Sequence, residues 1–177
     1  MTTNQVFAAV GVSILLLAVV VYVTRAGYRR VLGAAVGGLV MVAFGISIDA
    51  LGDAMGWWHY TMGTPAHGPA LLYLAIWIWY GVGVQLIGWR VSRRFGVRGL
   101  VAFIGFMAIY GPLRDYIGIA ATSGTVQVVS SGIVPVVADV LLWGTMNALA
   151  QGVMWLVAGS PESDRLRYEC QTRDTSV

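Results

Sequence analysis

The sequence has no lysine and only one cysteine, Cys170, among its 177 residues. A single cysteine cannot form a disulfide within the chain, and no Cys-x-x-Cys pair is present to hold a metal ion. Charged residues make up 11% of the chain, whereas soluble domains carry about 25%. Phosphate-binding loops, dinucleotide-binding glycine patterns and His-Glu-x-x-His motifs are also absent. These absences argue against nucleotide-dependent, thiol-based and zinc-protease enzymes.

Apolar residues are abundant, at 58% of the chain, and the mean hydropathy is +0.75. A soluble domain of this length could not bury so much apolar surface, so lipid must solvate part of it. The length suits one domain. The sequence therefore predicts an all-α, polytopic membrane helix bundle.

Five apolar segments predict five transmembrane helices, each long enough to cross about 30 Å of hydrocarbon. Their approximate bounds are Phe7–Thr24, Val31–Met55, Ala70–Trp89, Gly99–Ile119 and Ile133–Gly159. We therefore expect residues 1–159 to form a five-helix transmembrane domain. Residues 160–177 are predicted to be a polar, flexible cytoplasmic tail.

The distribution of arginine predicts the orientation of these helices. With alternating topology, Arg114 falls on one side and all other arginines fall on the opposite side: Arg25, Arg29, Arg30, Arg90, Arg93, Arg94, Arg98, Arg165, Arg167 and Arg173. The positive-inside rule then places the N-terminus outside and the C-terminus in the cytoplasm. Residues 1–5 contain no basic residue, so we do not expect a cleaved signal peptide. The predicted location is the plasma or inner membrane, as a multi-pass protein.

The partners that we expect are membrane lipids, with partner membrane subunits or a homo-oligomer as further possibilities. The net charge of +3 does not predict nucleic-acid binding, because the arginines form short clusters between apolar segments. The 23 glycines favour tightly packed helices over a wide aqueous channel.

Ionisable groups concentrate near the outer ends of the predicted helices. Asp49 and Asp53 lie four residues apart on one helical face, and counting the helical rise places Arg114 and Asp139 about 8–10 Å below the outer surface. Charges at such depth usually face the bundle interior and pair. We therefore expect an ion pair between Arg114 and Asp139, with Asp49 nearby. This cluster is either a structural ion pair or a ligand-facing or proton-handling site.

The candidate site residues follow from this cluster. The candidate catalytic acids or bases are Asp49, Asp53 and Asp139. The candidate ligand-binding residues are Arg114, Asp115, His59, Trp58, Tyr60, Trp77 and Tyr80. Trp77 and Tyr80 belong to an aromatic stripe that suits helix packing or the wall of a site for a flat apolar ligand. No metal site or cofactor is predicted, although Asp49, Asp53 and His59 offer metal-binding chemistry, and a bound lipid or apolar pigment is possible.

A second polar group lies in the inner half of the bundle. Gln85, Asn147 and Gln151 are its members, and the last two share one helical face. Interhelical hydrogen bonds of this kind stabilise membrane bundles by about 0.6–2 kcal/mol each. We interpret the group as structural, and a polar path for transport is the alternative.

One short stretch resembles a known family. Asp49, followed by Gly56-Trp57-Trp58-His59-Tyr60 at the end of a helix, is similar to the acid-then-Gly-aromatic-aromatic segments of small carotenoid-biosynthesis membrane proteins of the lycopene-cyclase type. The resemblance covers residues 49–60. Those proteins also carry carboxylates beside a proline in a following helix, and the corresponding stretch, Gly68–Tyr80, has none. The resemblance therefore implies only Asp49 as a candidate acid.

Three functions remain open at this level. The leading interpretation is a small accessory or scaffold subunit whose polar cluster packs its helices. The alternative is a membrane-embedded enzyme that acts on a lipid, an isoprenoid or a carotenoid. The third possibility is a small transporter.

Overall fold

The computed structural model describes residues 3–60, 74–121 and 127–161 of the chain. These residues form helices α1 (Thr3–Thr24), α2 (Tyr28–Ala54), α3 (Leu74–Ala121) and α4 (Ile133–Ala158), and short strands β1 (Trp58–Tyr60) and β2 (Gln127–Val129). Each of the four helices is long and apolar enough to cross a membrane. The structure thus agrees with the predicted helical membrane protein. Residues 162–177 of the predicted tail and the side chain of Tyr60 lie outside the described residues.

Helix α3 is interrupted by a single glycine. A straight helix of its 48 residues would extend about 72 Å, more than twice the hydrocarbon thickness of about 30 Å. At Gly96 the backbone leaves helical geometry, with φ 64° and ψ −148°, a combination that glycine alone adopts readily. The chain folds back there, so that Gly88 lies against the ring of Phe103. We call residues 74–95 the first arm and residues 97–121 the second arm.

The first arm contains a π-helical stretch, Trp77–Gly83. Its wider turns change the directions of the side chains compared with an α-helix. Trp77 is used for packing, since its Nε1 donates a hydrogen bond to the carbonyl oxygen of Ala35 on α2 at 3.0 Å. Tyr80, in contrast, lines a cavity between the helices.

Glycines bring the helix backbones into direct contact, as the glycine content predicts. A Cβ atom on Gly38 of α2 would lie 2.5 Å from the carbonyl carbon of Gly81 in the first arm. A Cβ atom on Gly37 would overlap the backbone of Ala150 on α4. Larger residues would separate α2 from both of its neighbours, so these positions determine the packing of the bundle.

The core of the bundle lies where α2, the two arms of α3 and α4 meet. One apolar cluster contains Met41, Val84, Phe103, Met107, Trp143, Met146 and Ala150. A second cluster contains Val20, Ala34, Val82, Leu86, Trp89 and Met154, and brings in α1. Apolar side chains that point away from the core are exposed, for example Leu15 and Leu156, at 69% and 86%. A bilayer would solvate this outer surface.

A small antiparallel sheet closes one end of the bundle. Strand β1 follows α2 and pairs with β2, which precedes α4, in the register Trp58↔Val129. The carbonyl oxygen of Trp57 also accepts a hydrogen bond from the backbone N–H of Ser130 at 2.9 Å. Gly56, with φ 68°, permits the turn between α2 and β1. The sheet thus ties two interhelical connections together above the ends of the helices.

Candidate functional site

A cavity of about 260 Å³ lies beneath the sheet, between α2, both arms of α3 and α4. Its polar lining consists of Asp49, Tyr80, Arg114, Asp115, Tyr116, Gln127 and Asp139. Its apolar and aromatic lining includes Met41, Ile46, Trp58, Ile76, Ile119, Leu142, Trp143 and Met146. Ligand sites commonly have about 300–1,000 Å³ and combine apolar walls with a few polar groups. This cavity therefore suits a small apolar molecule or one end of a longer one.

The structure brings six of the candidate residues to this cavity, and three others, Asp53, His59 and Trp77, lie outside it. Asp49, Trp58, Tyr80, Arg114, Asp115 and Asp139 line it. Asp53 and His59 are exposed, and His59 pairs through its backbone with Val128 in the sheet. Trp77 packs on α2 and does not line the cavity. The site is therefore narrower than the sequence indicates.

Arg114 pairs with its neighbour Asp115, and the ion pair with Asp139 that we expected is not formed. The Arg114 Nε donates to Asp115 Oδ1 at 2.8 Å, and the Nη2 contacts the same oxygen. The expectation depended on the similar depth of Arg114 and Asp139, whereas adjacent residues on a helix do not normally face each other. Here the long arginine side chain bends back to its neighbour.

Two aromatic rings hold this ion pair in place. The guanidinium carbon of Arg114 lies 4.8 Å from the centroid of the Tyr80 ring and 5.1 Å from that of Trp143. The Nε1 of Trp143 donates a hydrogen bond to Asp115 Oδ2 at 2.9 Å. Cation–π contacts of this kind strengthen when water is excluded. The positive charge and both carboxylate oxygens therefore all have partners. We call this pair the Arg114–Asp115 unit; through Tyr80 and Trp143 it links both arms of α3 to α4.

Asp139 differs from Asp115 in its bonding. It is partly buried and lines the cavity, but among the described residues the structure gives it no hydrogen-bond or ion-pair partner. It lies close enough to Asp49, Arg114 and Asp115 to interact electrostatically with each of them. A carboxyl group that faces a cavity without a partner is able to bind a ligand or exchange a proton with it.

Trp58 covers the cavity from the sheet side. Its side chain is 4% exposed and its ring lies on Gly52, where a Cβ atom would overlap the indole. The indole Nε1 is buried and has no hydrogen-bond partner among the described residues. Glycine at position 52 therefore lets the ring lie directly against α2 at this end of the cavity.

Asp49, Asp53 and His59, which have metal-binding chemistry, do not come together as a group in the structure. Within residues 3–60, 74–121 and 127–161, no group of three or more His, Cys, Asp and Glu side chains is placed to hold a metal ion. Asp49 lines the cavity, whereas Asp53 and His59 are exposed outside it.

The inner polar group forms a hydrogen-bond network, in which Gln151 Oε1 is the one buried polar atom that has no partner among the described residues. Gln85 Nε2 donates to Asn147 Oδ1 at 2.8 Å, and Gln151 Nε2 donates to Gln85 Oε1 at 2.9 Å. Asn147 Nδ2 donates to the carbonyl oxygen of Trp143 at 2.8 Å. The three polar side chains are almost fully buried. These contacts favour the structural interpretation of this group over a polar path.

Trp143 and Tyr116 are cavity residues that the sequence analysis did not identify. A signal for Trp143 was present, because Asp139, Trp143, Asn147 and Gln151 follow one another at intervals of four residues and share one face of α4. Trp143 connects the two polar regions, since its indole binds Asp115 and its carbonyl oxygen binds Asn147. For Tyr116 we find no comparable signal.

Comparison with known proteins gives no family for this chain. The resemblance of residues 49–60 to carotenoid-biosynthesis proteins gains no support from this comparison. No protein-family model, curated protein or solved structure matches the sequence or the fold.

Proposed function

We propose that the protein is a membrane-embedded enzyme that acts on an apolar lipid or isoprenoid, with Asp139 as its acid or base. The observation that carries this proposal is the Asp139 carboxyl group, which faces the cavity without a partner among the described residues. General acids and bases need a positioned group that is available to exchange a proton with the ligand. Asp115 does not meet this requirement, because both of its oxygens are already bonded.

The surroundings of Asp139 support an apolar substrate. Met41, Ile46, Leu142 and Met146 form apolar walls against which a hydrocarbon group would pack. The buried ring of Trp58 adds an aromatic wall on the sheet side of the cavity. Asp49 is a second carboxyl group at the same cavity and is the candidate to assist Asp139.

The test of this proposal compares two conservative variants at the same end of the bundle. Asp139→Asn removes the acid or base with almost no change in shape, whereas Asp53→Asn alters an exposed carboxylate outside the cavity. The measurement is the complete lipid profile of cells that express each form, normalised to the amount of folded protein. We expect a lipid conversion that depends on the wild type, is lost with Asp139→Asn and is retained with Asp53→Asn. Equal conversion by Asp139→Asn, or no conversion by the wild type, would overturn the proposal.

The number of membrane crossings and the orientation of the chain are also part of the proposal. We infer five crossings with the N-terminus outside and the C-terminus in the cytoplasm, in the plasma or inner membrane. The reversal at Gly96 supports two crossings by α3. Arg90 Nη1 donates to the carbonyl oxygen of Thr24 at 3.3 Å, so the arginines near Gly96 and those between α1 and α2 share one side, as the positive-inside rule requires. A reporter fused after Val177 should read as cytoplasmic, and a readout on the opposite side would contradict this topology.

An accessory or scaffold subunit is the second candidate, and the Arg114–Asp115 unit favours it. That unit joins three helical segments through Tyr80 and Trp143, as an ion pair with a purely structural role would. This function predicts that Asp139→Asn leaves lipid profiles unchanged, and that Arg114→Met lowers the amount of assembled protein. Partner membrane subunits or a second copy would then co-purify in mild detergent. A small transporter has less support, because Gln85, Asn147 and Gln151 bond to one another.

A further inference from the structure

An apolar groove runs along the outside of the bundle between α2 and α4. We call it the α2/α4 groove; it has a volume of about 480 Å³. It is lined by Phe44, Ile48, Leu51, Trp57, Ile133, Val134, Val137, Ala138, Leu141, Leu142 and Thr145. Only Thr145 and the indole N–H of Trp57 offer polar atoms from side chains in this lining. Val134 and Leu141 are 55% and 63% exposed, so the groove is open to the surroundings of the bundle, which in a membrane are lipid chains.

The groove borders the cavity. Leu142 lines both, and Ala138 of the groove directly precedes Asp139 of the cavity. The same holds on α2, where Ile48 lines the groove and the next residue, Asp49, lines the cavity. A hydrocarbon chain in the groove would therefore lie beside the Asp139 carboxyl group, with the partly buried side chain of Leu142 between them.

The length of the groove limits what it can hold. Its lining on α4 extends from Ile133 to Thr145, which is about 18 Å of helix and about three-fifths of a hydrocarbon core of about 30 Å. Neighbouring helix axes lie only about 8–10 Å apart. A groove between two such helices accommodates one hydrocarbon chain of a single leaflet.

A second apolar groove, between the two arms of α3, borders the cavity at a less favourable point. It has a volume of about 410 Å³, includes Ala102, and meets the cavity at Tyr80. The guanidinium of Arg114 covers the Tyr80 ring at 4.8 Å. A chain that entered there would have to displace this cation, whereas one that entered through the α2/α4 groove would displace only Leu142.

We infer that the ligand enters the cavity sideways from the bilayer through the α2/α4 groove. The protein then takes a lipid with a single hydrocarbon chain, which lies in the groove while its polar or reactive end lies beside Asp139. This inference rests on the proposed function for the identity of the ligand site. It adds the class of substrate and the route by which the substrate arrives.

The test uses the purified full-length chain in lipid nanodiscs and two photoactivatable alcohols, hexadecan-1-ol and octan-1-ol, each with a diazirine in its chain. We expect saturable labelling of α2/α4 groove residues by the hexadecanol probe. Ala138→Phe fills the groove and should reduce this labelling by about tenfold or more, because several chain carbons lose their contacts. Ala102→Phe makes the same change in the groove between the two arms of α3 and should leave the labelling of the α2/α4 groove unaltered. The octanol probe should lose less labelling in Ala138→Phe than the hexadecanol probe does.

Other outcomes would overturn the inference. These are labelling that is not saturable, labelling that is lost with Ala102→Phe instead, or unchanged labelling in Ala138→Phe. A second copy of the chain in the groove would also overturn it, and would appear as a dimer by native mass spectrometry that Ala138→Phe dissociates. Asp139→Asn should keep the groove labelling while lipid conversion is lost, so failure of the entry route and failure of the enzymatic function are distinguishable.

Discussion

Two polar regions of this bundle are built from the same helices and differ in whether each polar side chain hydrogen-bonds to another side chain. Gln85, Asn147 and Gln151 form a buried network in which each side chain bonds to another. The cavity residue Asp139, one turn before Trp143 on α4, has no such partner among the described residues. In a low-dielectric interior, a bonded polar group stabilises the fold and an unbonded one costs stability. Under the proposed function, the network maintains the structure and the cavity receives the ligand.

The largest expected effect comes from Asp139→Leu, which removes the carboxyl group and keeps an apolar side chain. Lipid conversion should fall by about 10²–10⁴-fold, the usual contribution of a general acid or base. The free energy of unfolding should rise by about 1–3 kcal/mol, because a carboxyl group at membrane depth is costly. Thermal unfolding in detergent and lipid profiling measure the two quantities. A destabilised protein would show that Asp139 has a structural role.

Asn147→Leu also replaces a polar side chain by leucine, but in the inner hydrogen-bond network. It should lower the stability, whereas Asp139→Leu should raise it. It leaves Gln85 Nε2 without its acceptor at position 147 and the carbonyl oxygen of Trp143 without its donor. The free energy of unfolding should fall by about 1–3 kcal/mol. Conversion per folded molecule should remain close to that of the wild type. If Asn147→Leu abolished conversion in a protein of unchanged stability, the separation of the two regions would be wrong.

Trp143→Phe tests the residue that connects the two regions. Phenylalanine keeps an aromatic ring beside Arg114 and the backbone carbonyl that binds Asn147, but it removes the donor to Asp115 Oδ2. We expect a loss of about 1 kcal/mol in the free energy of unfolding and a much smaller fall in conversion than with Asp139→Leu. Equal losses of conversion in the two variants would mean that the Asp115 bond, and not only Asp139, is required for the reaction.

His59→Ala should have the smallest effect. The His59 side chain is exposed, and its place in the sheet depends on its backbone. Substitutions at such positions usually change stability very little. Neither the unfolding temperature nor the lipid profile should differ from the wild type. A lost conversion would return His59 to the candidate site residues.

Much of the cavity could be predicted because ionisable residues are conspicuous in apolar segments. Asp49, Arg114, Asp115 and Asp139 stand out in this way, and helical rise alone placed Arg114 and Asp139 at similar depth. Asp53 was included because it shares a helical face with Asp49, yet in the structure it lies exposed beyond the cavity. Depth along a helix does not determine which side chains the neighbouring helices cover.

The remaining features depend on contacts that one sequence does not reveal. The choice of Asp115 as the partner of Arg114 depends on Tyr80 and Trp143, which lie on other segments. The pairing of β1 with β2 joins two short stretches that have no strong strand pattern. The groove between α2 and α4 results from the packing of two helices, and neither helix predicts it alone.

The turn at Gly96 has a consequence for how the protein enters the membrane. In the proposed five-span topology a single residue joins the two arms of α3, so neither arm can reach its final position independently of the other. We therefore expect the translocation machinery to receive them as one helical hairpin, with Arg90 and Arg98 left on the side where synthesis occurs. Tyr80 and Arg114 would then reach the opposite leaflet in one event, before α4 is synthesised.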